Sequence, residues 1–234
     1  MQVFDLTQRL GPEIVTWPGR PAPVFETVER HDRDGAFSRI VSLFEHTGTH
    51  LDAPAHFIKG APAVDQIPAE HLICPLAVVD VAANAAADPD YRLSVSDLEH
   101  DEVLHGPIRP GSVVAVRTGW GQRCSDEALY LGRDRDGLLH FPGVGREAAE
   151  WLTTRRRICG IGIDTAGIDP GVDASFEVHA KVTLPGGVWH LEGLVKLELL
   201  PARGAIIFVG AIPLAGGSGA PARVLAVIST GWEA

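Results

Sequence analysis

His46-Thr47-Gly48-Thr49-His50-Leu51-Asp52-Ala53-Pro54-Ala55-His56-Phe57 places three imidazoles and one carboxylate at positions 46, 50, 52 and 56. All four positions share a parity, so an extended backbone would send all four side chains to one face. On a straight strand, residues 46 and 50 would stand ~13 Å apart, too far to share one ion comfortably. Gly48 can take dihedrals closed to other residues, and Pro54 turns the path a second time. The stretch therefore predicts a curved segment with nitrogen and oxygen ligands along its inner side. Two imidazoles and a carboxylate suit a borderline divalent ion such as Zn or Mn and leave coordination positions open for water. A histidine pair at i, i+4 is also the spacing of a zinc-binding helix. Gly48 between the two, with Ala53-Pro54 soon after, opposes that reading. The run Phe37 to Glu45, with Ile40, Val41, Leu43 and Phe44, predicts a buried strand leading into the motif.

The same twelve residues resemble the signature of the metal-dependent cyclase-like amidohydrolases, a family that includes the bacterial kynurenine formamidases (arylformamidases) and the isatin hydrolases. By that resemblance His46, His50 and Asp52 bind metal, and His56 is the catalytic acid/base. The likeness can be followed through most of the chain, including Arg117-Thr118-Gly119-Trp120. Near the start, Pro18-Gly19 makes a turn that can present Trp17. The resemblance places Trp17 in the lining of a substrate pocket, whereas its size alone suits a core position equally well. Arg20 departs from the pattern, since many relatives carry Asp there.

The distal ligands are read from two directions. Asp173 to Ala180 predicts a helix carrying His179, ended by Pro185-Gly186-Gly187. Val188 to Glu192 predicts a strand on which His190 and Glu192 share a face. Spacing alone pairs His190 with Glu192, while the resemblance matches His179 with Glu192. We take His179 and Glu192 as the expected ligands and hold His190 as the rival. Asp164 and Asp169 are expected to orient a ligand histidine or cap a turn. His140, ahead of Phe141-Pro142-Gly143, is placed near the pocket by resemblance and equally well at a helix entry by its local sequence.

Composition narrows the function classes. With 234 residues, 45% hydrophobic and 21% charged, the chain is long and apolar enough for one domain with a sizeable core. A net charge of −10 argues against nucleic acid, which requires clustered Lys and Arg. The one basic run, Arg155-Arg156-Arg157, fits a helix C-terminus. Cys74, Cys124 and Cys159 form no Cys-x-x-Cys pair, so neither a disulfide framework nor a thiolate metal site is indicated. No apolar run reaches membrane-spanning length and the first residues carry no secretory pattern, so a cytoplasmic location is expected, with no membrane partner.

Along the chain, strands are expected at Val3 to Leu6, Val24 to Arg30, Leu76 to Val81, Ser112 to Arg117, Ile158 to Ile163, Ala205 to Gly210 and Val224 to Ile228. His31 to Gly35 is expected as a charged turn, and Ala82 to Arg92 and Leu214 to Ala222 as loops. Helices are expected near Ala69 to Leu72, from Ser96 with Ser94 or Ser96 as cap, and from Val144 to Arg155. Strands outnumber helices, which gives a single α/β domain over 1–234 with a mixed sheet and interspersed helices. The resemblance adds a swivelling β/β/α architecture and a homo-oligomer, a dimer. It implies metal-dependent hydrolysis of an aryl formamide, with N-formyl-kynurenine the leading small-molecule substrate and one or two Zn or Mn ions per subunit. A cyclic-amide (isatin-type) hydrolase, a metal-dependent cyclase or dehydratase, and a metal-stabilised binding protein without turnover are the alternatives.

Overall fold

β-branched and aliphatic runs supply the strands. In the computed structural model, which describes residues 1–229, the first four strands are β1 (Gln2–Asp5), β2 (Val24–Glu29), β3 (Ser38–Ser42) and β4 (His50–Asp52). Then come β5 (Ile73–Asp80), β6 (Arg92–Leu93), β7 (Val113–Arg117) and β8 (Gly143–Val144). The last four are β9 (Gly160–Ile163), β10 (Trp189–Glu192), β11 (Ala205–Ala211) and β12 (Gly219–Ile228). Eight of these make one sheet in the order β1-β12-β11-β5-β7-β9-β10-β4, and β4 pairs again with β12, closing the sheet on itself. The pairs β5–β7, β7–β9 and β9–β10 are parallel and the others in the sheet antiparallel, so the sheet is mixed as expected.

The parallel strands β5, β7 and β9 are largely apolar on both faces because both faces are covered. Leu76, Val78, Val113 and Ala115 join Leu51, Leu191, Ile207 and Val224 in one core cluster. Ala77, Val79, Val114 and Val116 face the other way, against Leu98 of the helix Val95–His105 and against Ala148, Ala149 and Trp151 of the helix Arg146–Trp151. Ser94 caps the first of these helices, its hydroxyl accepting from Asp97 N–H. The basic run does close a helix, with Arg157 in the left-handed conformation after a π-wound turn, Leu152–Arg156.

Four local expectations are corrected. The Phe37 to Glu45 run contributes β3, but β3 pairs only with β2 in a two-stranded ribbon, leaving Ile40 59% and Val41 44% exposed. β-branching favoured the strand without any layer to bury it. His31–Asp34 coils into one helical turn, with the Asp34 carboxylate accepting from Arg30 N–H. The alanines of Ala82–Ala87 form a short helix rather than a loop, as their propensity favours. Gly219 to Ala222, read as loop because of composition, begins β12, held there by β4.

Candidate metal centre and pocket

β4 is the anchor of the site. Its central residue, Leu51, is fully buried, and burying such a side chain is worth ~1.5–3 kcal/mol. With Leu51 fixed in the core, His50 and Asp52 must share the opposite face. Register sets Asp52 beside His190 and His50 beside Glu192 on β10, so all four side chains project together. Gly48, at φ +63°, bends the chain before β4 and brings His46 round to Asp52. On the other edge Gly219 pairs with Asp52, and a Cβ there would lie 2.5 Å from the His46 ring. Only glycine leaves that space. After β4, the single 3-10 turn Pro54–His56 turns the chain and lays the His56 ring over His46 at 3.9 Å between centroids.

His179 arrives from a different element. The expected helix over Asp173 to Ala180 is shorter: it begins near Glu177 and continues as the π-wound turn His179–Thr183. Asp169 starts it, accepting from the N–H groups of Val178 and His179. The two oxygens of Asp52 then face two ways. Oδ1 lies 2.6 Å from His46 Nδ1 and 3.2 Å from His50 Nε2, while Oδ2 lies 3.3 Å from His179 Nε2. Glu192 lies 3.2 Å from His179 Nε2 and 3.5 Å from His50 Nε2. Two groups able to hold a cation result, His46-His50-Asp52 and Asp52-His179-His190-Glu192, sharing Asp52. Both expected distal residues and the rival His190 thus meet at one place.

The histidines are prepared in the same way. His46, His50, His179 and His190 each have one ring nitrogen engaged by a neighbour and the other left toward the cluster. Ser218 Oγ donates to Glu45 and so accepts from His46 Nε2 (2.8 Å). His50 Nδ1 donates to the Gly48 carbonyl at 2.9 Å, and His179 Nδ1 to Asp169 at 2.5 Å. Thr183 gives its single hydroxyl hydrogen to the Val178 carbonyl and accepts from His190 Nε2 at 2.6 Å. His190 Nδ1 is then a buried lone pair with no protein partner. Such an orphaned acceptor, beside a donor set of imidazoles and carboxylates, fits a divalent metal.

Charge is balanced across the cluster. Burial opposes protonation of His50, but Asp52, Glu192 and the Gly48 carbonyl outweigh it and raise its pKa to about 9. Burial is likewise outweighed at His179, raised by Asp169, Asp52 and Glu192. At Asp52 burial works toward the neutral acid, yet His46, His50 and His179 hold the carboxyl well below its ordinary range. His190 has no such support, and burial beside His179 keeps it neutral. His56 is pushed down to about 4 by burial, reinforced by His46, His179 and His50 against Asp52.

The cluster opens into a cavity of about 430 Å³ lined by Trp17, Phe44, Phe57 and Phe176 among others. Trp17 meets Phe141 edge-on at 6.2 Å and Phe176 at 5.9 Å, so it is both packed and pocket-facing. His140 does not line the cavity; it is bonded to Asp90 at 2.9 Å and faces Asp134. Asp164 caps the turn after β7, accepting from Thr118 and Gly119 N–H. Ser218 and Glu45, which orient His46, carried no local sequence signal, for they lie 173 residues apart; Thr183 is only seven residues from His190 but was read as part of the run before Pro185. Phe176 sat in a stretch read only for its helix.

A mixed, self-closed sheet here gathers histidines and carboxylates able to hold a cation beneath an aromatic cavity, and the proteins this chain resembles are hydrolases. The sequence profile described as putative cyclase matches residues 4–170, and the chain belongs to that family. Isatin hydrolase of Roseibium aggregatum is 34% identical, the match covering 97% of this chain and 92% of that protein. Kynurenine formamidase of Salinibacter ruber is 28% identical over 96% of this chain and 97% of its own length. Among solved structures, isatin hydrolase A from Ralstonia solanacearum superposes with a TM-score of 0.91 at 35% identity, covering 97% of this chain and 92% of that one. No helix among the described residues is long and apolar enough to cross a membrane.

Proposed function

We propose that this chain hydrolyses an amide carried on an aromatic group, with Zn or Mn held by His46, His50, Asp52, His179 and Glu192. The observation that supports it most is the shared carboxylate: Asp52 turns one oxygen to each of two ligand groups at the floor of an aromatic cavity. When bound, a divalent ion there supplies Lewis acidity toward the amide carbonyl and lowers the pKa of adjacent water. The protein does the rest. Trp17, Phe57 and Phe176 stack on the aryl group and exclude bulk solvent. His56 lines the same cavity and its side chain makes no hydrogen bond within the described residues. Neutral at physiological pH, it accepts the proton of the attacking water. Its low pKa makes the resulting imidazolium a strong acid, suited to protonating the departing nitrogen.

An aryl formamide, N-formyl-kynurenine first, is the leading substrate. Opening of a cyclic amide of the isatin kind is the second reading, favoured by the likeness to the two isatin hydrolases. The same groups serve both, because each reaction adds water across an aryl C–N acyl bond. The test is turnover of N-formyl-kynurenine, formanilide and isatin by metal-loaded protein, before and after chelation. Turnover of at least one, lost with the metal and restored by Zn or Mn, is expected. Full activity in metal-free protein, or no turnover of any, overturns the reading.

A further inference from the structure

We propose that the guanidinium of Arg20 is the recognition point for a carboxylate on the substrate's aryl portion. The inference rests on the aryl-amide reading above and adds to it the charge of the substrate. Arg20 is the one Lys or Arg lining the cavity among the described residues. Its position is built rather than accidental. Arg20 N–H donates to the Trp17 carbonyl at 2.9 Å, closing a four-residue turn through Pro18 and Gly19, the latter at φ +80°. Trp17 and Arg20 are the two ends of that turn, so their Cα atoms lie within ~7 Å of each other. The Thr16 hydroxyl donates to the Arg20 carbonyl and ties down the far side.

The side chain is oriented too. Its guanidinium lies over the Phe44 ring at 4.8 Å, and Phe44 in turn packs against His46 at 5.4 Å. One aromatic ring therefore separates the cation from the metal-ligand cluster. The Arg20 guanidinium makes no hydrogen bond to the protein among the described residues, so its N–H donors are available to take a carboxylate in bidentate fashion. No carboxylate of the protein takes them: Arg20 has no ion-pair partner among the described residues, although the chain carries 30 Asp and Glu. In a protein of net charge −10, an anionic substrate meets general repulsion. An unpaired cation at the cavity wall offsets that repulsion where the substrate must sit. A neutral aryl amide has no use for it.

The experiment uses metal-loaded enzyme and two amides with the same scissile bond, formanilide and 2-formamidobenzoate, in wild type, Arg20→Ala and Arg20→Lys. Arg20 is exposed, so both variants are expected to fold, and circular dichroism checks it. We expect wild type to prefer the carboxylated amide. Arg20→Ala should lower the ratio of the two kcat/KM values by ~10–100-fold, mainly through KM, with Arg20→Lys in between. The loss should shrink as salt is raised. An unchanged ratio in Arg20→Ala overturns the proposal while leaving the hydrolase reading intact. If neither amide is turned over, the hydrolase reading is decided by N-formyl-kynurenine and isatin as above, and the ratio is replaced by a binding measurement. Calorimetry with benzoate then decides for Arg20: weaker binding to Arg20→Ala supports the anion site, and equal or absent binding to both proteins refutes it.

Discussion

Loading metal should expel protons, and the number can be worked from the cluster. In the metal-free protein, Asp52 and Glu192 raise the His50 pKa to about 9 against the opposing effect of burial, and His179 is shifted in the same direction. At pH 7.5 a group of pKa 9 is ~97% protonated, yet only the neutral imidazole can ligate. Competition at His50 alone then weakens apparent metal affinity ~30-fold, about 2 kcal/mol, relative to pH well above 9. With His179 contributing as well, the logarithm of apparent affinity should rise by one to two per pH unit between pH 6.5 and 8.5. Titration calorimetry in buffers of different ionisation enthalpy should count between one and two protons released at pH 7.5. Stability carries the opposite sign. A pKa raised above its unfolded value stabilises fully below ~6.5 and loses that contribution as pH climbs through about 9. Metal-free protein should therefore melt at lower temperature at pH 9 than at pH 7, while loaded protein is much less sensitive. Metal binding without proton release, with affinity flat across that range, would refute the account of how the cluster is charged.

Replacing His56 by Asn should leave metal content near that of wild type, since its ring stacks on His46 without bonding Asp52 or Glu192, while turnover falls by ~10²–10⁴-fold. Loss of the metal, or retention of full activity, counts against its place as proton carrier. Leu51→Ala should cost ~2–5 kcal/mol, because Leu51 is fully buried at the centre of β4. A melting temperature within a degree of wild type would show that β4 is held by something other than that side chain.

The motif was legible because its chemistry is local. Parity correctly put His50 and Asp52 on one face, but it overreached at His46 and His56, which lie outside the three residues of β4. Those two are brought in by the turns at Gly48 and Pro54, a bend that the sequence signals but whose direction it does not. The distal side was harder for a physical reason. His190 reaches Asp52 through strand register and His179 through a π-wound turn, and no rule based on a single periodicity contains both. The β5, β7 and β9 strands were readable from their apolar runs. The β2–β3 ribbon has the same residue types without a covering layer, and composition alone does not reveal what packs on a strand.

β4 also sets a timetable. It joins residues 50–52 to 190–192 on one edge and to 219–221 on the other. At the usual pace of translation, the stretch between the first of these segments and the last takes on the order of ten to thirty seconds to synthesise. Early in that interval His46, His50 and Asp52 are a local trio without the strands that later flank them. The ligand set is complete once Glu192 has been made, whereas closure of the sheet on the second edge of β4 waits for residues 219–221. A nascent chain stalled before Gly219 would carry every residue of both ligand groups yet lack the strand that covers the second edge of β4.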